Sequence, residues 1–226
     1  MKAILFGSIG SVVETSEMQR AAFNKAFNDH DLPWIWERDD YVDMLQASGG
    51  AMRVARYAQG QGTEVDAQAI HATKTRHFQE ALKTGKLSAR KGVKDTCHVA
   101  NSQGLQLGFI STTSRASLLL TLNNLNDLNP DQFDLITADD CGVASKPDPA
   151  IYHYALQELG VDARDAIAIE DNPAGVESAL GAGIKVIAFP GVNTKHLDYS
   201  SADHLVEKDV YATLLVALSS AGEDKG

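Results

Sequence analysis

The feature that most constrains this 226-residue chain is a rhythm of short apolar runs separated by stretches with helical spacing. Residues 3–6, 105–110, 135–136 and 166–169, with 186–189 as a fifth, are apolar runs of strand length. Between and after them, residues 115–125, 149–159 and 175–182 repeat apolar side chains three and four positions apart, as helices packed on a sheet require. Strands alternating with crossover helices give a parallel sheet covered on both faces. The expected fold class is α/β, with a doubly wound, Rossmann-like core.

Between the first run and the second the rhythm changes. Helical patterns at 17–27, 40–46, 52–59 and 67–82 follow one another with no strand between them. The reading is a small all-helical cap over residues 14–87, inserted after the first strand, with 1–13 and 88–226 forming the core domain. Such an insert lies over the carboxyl ends of the strands, where open α/β sheets bind ligands, so it is expected to act as a lid. Trp34 and Trp36 are expected to anchor the thin core of that cap. The polar tail, 219–226, is expected to fray.

A formal net charge of −10, with the 20 Lys and Arg residues scattered, argues against nucleic acid and anionic lipid as partners. No apolar stretch approaches the ~20 residues that span a bilayer. Met1 leads straight into the first strand without a signal-like series, so a soluble cytoplasmic protein is expected. Cys97 and Cys141 stand apart with no CxxC or HxxxH spacing, which reads as two reduced structural thiols and no zinc site.

Three places bring chemistry to strand ends. The run at 166–169 is followed by Glu170 and Asp171, hard carboxylates that suit Mg²⁺, or else a solvated turn with Asn172 capping the next helix. The run ending at Ile110 delivers Ser111, Thr112, Thr113 and Ser114 to a helix N-terminus. That arrangement is a phosphate cradle or simply a capped helix. Lys146 is followed by Pro147-Asp148-Pro149, which fixes an ammonium where it can neutralise a phosphate oxygen, or leaves an ordinary solvated lysine.

Taken in this order, with a helical insert after strand one, these features resemble the haloacid dehalogenase superfamily. The branch they resemble contains β-phosphoglucomutase and the CbbY-type sugar-bisphosphate phosphatases. The resemblance implies that Ser111, with Thr112, and Lys146 bind phosphate and that Glu170 and Asp171 hold Mg²⁺. It also implies a phosphate contact at Arg53, because Ser48-Gly49-Gly50-Ala51-Met52-Arg53 looks like a Gly-Gly-Lys-Glu-Arg segment of that branch.

The family's Asp-x-Asp-Gly-Thr opening is Gly7-Ser8-Ile9-Gly10-Ser11 here. Gly7 stands at the position of the nucleophilic aspartate and Ile9 at that of the general acid/base. Glycine has no group to attack phosphorus, and isoleucine cannot transfer a proton. Mg²⁺ binding is expected to be weakened. In an extended segment Ser8 faces away from 7 and 9, so its hydroxyl is expected to point out of the site. The expectation is a pseudo-phosphatase that binds a phosphorylated metabolite. The alternatives are an active phosphosugar phosphatase with a non-standard nucleophile and a structural interaction protein.

Overall fold

The computed structural model describes residues 1–46, 49–85, 87–126, 128–206 and 209–223. Strands β1 (Ala3–Phe6), β2 (Gln106–Ile110), β3 (Leu135–Thr137), β4 (Ala166–Glu170), β5 (Lys185–Ala188) and β6 (His204–Leu205) form one sheet in the order β3-β2-β1-β4-β5-β6. Every pairing is parallel, with Phe6 opposite Phe109 on one side and Ile169 on the other. This is the expected doubly wound α/β core, with one strand the apolar pattern missed. β6 has only two residues, too few to show a period.

Side-chain alternation divides the sheet into two cores. Ile4, Phe6, Leu107, Phe109, Ile167 and Ile169 face one way, against helices α6 (Val93–Ser102), α7 (Arg115–Asn123) and α10 (Val210–Glu223). Ala3, Leu5, Ile110, Ala166 and Ala168 face the other, against α8 (Ala150–Leu159) and α9 (Pro173–Gly181). Helices on both faces follow from βαβ crossovers, and they explain why these strands are apolar throughout. Of the polar tail, residues 219–223 continue the backbone of α10, and the rest lies outside the described residues.

Between β1 and β2 run α1 (Ile9–Val12), α2 (Ser16–Asp29), α3 (Arg38–Asp43), a 3₁₀ turn at Met44–Gln46, α4 (Gly50–Gly60), α5 (Ala67–Thr84) and then α6. Phe23, Phe27, Trp34, Trp36, Tyr41, Val54, Ala58 and Ile70 form a third cluster of their own. Trp36 meets Phe23 and Phe27 with ring centroids 4.7 Å apart. Both indoles therefore serve packing, with Trp34 edge-on to Phe27 at 5.4 Å.

Candidate functional site

The neighbouring strands β2, β1 and β4 deliver Ser111, Gly7-Ser8 and Glu170-Asp171 to one edge of the sheet. Lys146 reaches in from the loop before α8. Its ammonium donates to Glu170 Oε1 at 2.5 Å, to the Gly7 carbonyl at 2.6 Å and to the Ile110 carbonyl at 2.8 Å. An ammonium has three protons, and all three are committed inside the protein. Lys146 is 7% exposed and Glu170 fully buried, so the alternative of an ordinary solvated lysine is corrected to an internal counter-ion.

Tyr152, on the first turn of α8, donates its hydroxyl to the same Glu170 oxygen at 2.6 Å. Burial raises the Glu170 carboxyl above its ordinary value, while Lys146 pulls the other way. Burial and the facing carboxylate push the Tyr152 phenol well up, so it remains a donor.

Asp171 accepts the Ser8 hydroxyl on Oδ1 and the Asn172 amide at 3.0 Å. The expected orientation of Ser8 is thus corrected. Ser8 is the N-cap of α1, and the chain turns helical at Ile9, so strand alternation stops before it. Ile9 is buried in the cluster that includes Phe6, Phe78 and Leu82. Asn172 Oδ1 caps α9 through the Gly175 N–H at 3.0 Å, with Pro173 in the first turn. Thr194 and Tyr199 each donate to the Asp171 carbonyl at 2.8 Å.

Of the four hydroxyls after β2, it is Ser114 that caps α7. Ser111 is bound differently. Its N–H donates to Thr137 Oγ1 at 2.9 Å and its hydroxyl accepts the Thr113 N–H at 3.1 Å. Thr112 lies half-buried beside it. Capping therefore leaves Ser111 and Thr112 at the strand end.

The inserted helices carry a second basic group. Arg53 Nε donates to the Met44 carbonyl at 3.0 Å, and its guanidinium lies 5.6 Å from the Tyr41 ring centroid. Ser48, quoted with this stretch, lies outside the described residues. Sequence reasoning missed Lys74 and His71 on α5. Lys74 donates to Gln19 Oε1 at 2.9 Å between the rings of Phe23 and Phe78, 4.9 and 5.0 Å away. Burial and then Arg53 lower its ammonium to about 7. Burial, Lys74 and Arg53 bring His71 down to about 4. The signal was present: Ile70, Lys74, Phe78 and Leu82 recur every four residues, which places a lysine in the apolar stripe of α5.

Comparison with known proteins identifies the family of this fold. A sequence model described as haloacid dehalogenase-like hydrolase matches residues 5–189. Protein CbbY of Cereibacter sphaeroides is 34% identical over 211 residues, 92% of either chain, and that of Rhodobacter capsulatus is 33% identical over 207 residues, covering 90% of this chain and 91% of the other. The crystal structure of CbbY from Rhodobacter sphaeroides in complex with phosphate matches with a TM-score of 0.85 at 33% identity, covering 92% of this chain and 94% of that one. CbbY in complex with xylulose-(1,5)bisphosphate matches equally well. With the match running from within β1 to just past β5, the chain belongs to the haloacid dehalogenase-like hydrolase family.

Proposed function

We propose that this chain is a pseudo-phosphatase: a protein on a phosphatase scaffold that binds a phosphorylated sugar metabolite and does not hydrolyse it. One observation carries the reading. A Cβ built on Gly7 would lie 2.0 Å from the Glu170 carboxyl carbon, so the space next to Gly7 is taken by a carboxylate already bound to Lys146. A side chain held that way attacks nothing, and Ile9 offers no proton. The ordinary chemistry of the family needs a nucleophile and an acid, which together must lower the barrier by at least ~8 kcal/mol.

The ligand groups in this reading are Ser111 and Thr112 at the N-terminal end of α7, where backbone donors favour an anion, and Arg53 from the insert. Lys146 joins them only by giving up Glu170, so phosphate and Glu170 compete for one ammonium. Residues 14–87 serve as the lid, and the protein works in the cytoplasm. The ligand class follows from the relatives whose structures hold phosphate and xylulose bisphosphate.

Isothermal titration with xylulose bisphosphate, paired with phosphate-release assays, tests the proposal. Binding that weakens in Arg53→Ala, with release no faster than in a Glu170→Ala/Asp171→Ala double mutant, is the expected result. Turnover abolished by that double mutant, or no binding of any sugar phosphate, would sink it.

The bond from Ser8 to Asp171 favours a second reading, because a hydroxyl donating to a carboxylate is a nucleophile–base pair. Steady release of phosphate that disappears in Ser8→Ala would establish this reading over the first.

A further inference from the structure

We infer that this site takes no divalent cation, and that Lys146 is the cation it holds in place of one. The inference rests on reading the strand ends as a phosphatase site, and it concerns what the carboxylates do there. The family resemblance would make Glu170 and Asp171 ligands of Mg²⁺, an ion that demands octahedral oxygens and keeps several waters. Its carboxylates must therefore face open, wet space.

Glu170 does not. Its Oε1 is occupied by Lys146 at 2.5 Å and Tyr152 at 2.6 Å. Its Oε2 is buried with no hydrogen-bond partner among the described residues. Cβ atoms built on Gly7 and Gly175 would lie 2.5 and 2.1 Å from Oε2, so two glycine backbones close over it. No ion with a hydration shell fits between them. Glycine at position 7 and the inward Glu170 are one arrangement, since any side chain at position 7 would displace the carboxyl.

Asp171 alone cannot make up the deficit. Oδ1 already accepts the Ser8 hydroxyl and the Asn172 amide, and a Cβ on Gly10 would lie 1.9 Å from Oδ2. Among the described residues no three His, Cys, Asp or Glu side chains converge as a metal set. Lys146 cancels the charge of Glu170, which leaves one exchangeable carboxylate where a hard dication needs a cluster. Any anion that binds here does so without a metal, and chelators leave its affinity unchanged.

The test is Mn²⁺ titration followed by electron paramagnetic resonance, with thermal melts in chelator and in about 10 mM Mg²⁺, on the wild-type chain without any phosphate ester. The expected wild-type result is an undiminished free-Mn²⁺ signal and an unchanged melting temperature. One equivalent of bound Mn²⁺, lost in Asp171→Asn, overturns the inference. Gly7→Asp is expected to gain Mn²⁺ binding by expelling Glu170. A Gly7→Asp chain that is folded by circular dichroism and binds none overturns the assignment of Gly7 as the cause. No phosphate ester is present, so the outcome stands apart from whether the protein binds or hydrolyses one.

Discussion

Lys146 and Glu170 form a buried ion pair in which, among the described residues, each is the other's only charged hydrogen-bond partner. Pairs of this kind show their cost when one half is removed, because the survivor is a buried charge. Lys146→Ala is expected to cost about 3–5 kcal/mol in urea denaturation at neutral pH. The Lys146→Ala/Glu170→Ala double mutant is expected to be more stable than Lys146→Ala alone. Burial already raises the Glu170 carboxyl, so in Lys146→Ala the folded chain holds that proton more tightly than the unfolded chain. Stability of that variant therefore recovers as pH falls through the raised value. Two single-mutant costs that simply add would mean that the residues do not depend on each other.

Lys74 gives the fold a pH dependence of the opposite sense. Unfolded, its ammonium titrates near the ordinary 10.5; folded, burial and Arg53 bring it down to about 7. Between those values unfolding takes up a proton, so stability rises with pH from about 7 to 10.5, and the full penalty of burying the charge applies below 7. Lys74→Met is expected to flatten this rise and to stabilise the protein by roughly 1–3 kcal/mol at pH 6, read from urea midpoints. An unchanged slope in the variant would assign the dependence elsewhere.

Much of the core was legible because both faces of a parallel sheet are buried, which makes its strands continuous apolar runs. Residues 3–6 match β1 residue for residue. β6 escaped for lack of length, and α6 because Val93, Cys97 and Ala100 alternate with polar residues in only ten positions. The strand-end residues were readable as types, but not their partners. Nothing local says that Lys146 turns inward, since its acceptors lie 24 to 139 residues away. Ser8 misled for a physical reason: period-two alternation holds only while the backbone stays extended, and a helix begins at the next residue.

Gly175, in the first turn of α9, packs against Glu170 as Gly7 does. A Cβ there would lie 2.2 Å from the carboxyl carbon of a side chain already held by Lys146 and Tyr152. Gly175→Ala would ordinarily strengthen a helix by up to ~1 kcal/mol. Here overpacking against a buried ion pair is expected to win, with a net loss of about 1–3 kcal/mol. In a Glu170→Ala background the same change should turn neutral or stabilising. Thermal melts of the four chains decide it, and a stabilising effect in both backgrounds would show that Glu170 does not press on Gly175.

Asn193 ties the loop after β5 to the inserted helices. Its side-chain oxygen accepts from Arg38 Nε and Nη2 at 3.1 and 3.0 Å, and its amide donates to Glu17 at 2.7 Å. Beside it, Glu14 accepts the Val192 N–H at 2.9 Å. Asn193 itself is 1% exposed, yet Arg38 and Glu17 are about half exposed and can rehydrate when it is lost. The global cost of Asn193→Ala is therefore small, about 1 kcal/mol. The local effect is larger, because these bonds span the two parts that a lid motion would separate. Hydrogen exchange of residues 14–20 and 190–195 is expected to quicken several-fold while the sheet amides keep their rates. Asn193→Asp keeps the acceptor for Arg38 but sets a carboxylate against Glu17, so its exchange should be faster still. Equal exchange in all three chains would show that the insert is held by its apolar contacts, Phe78 and Leu82 among them, and not by this polar tie.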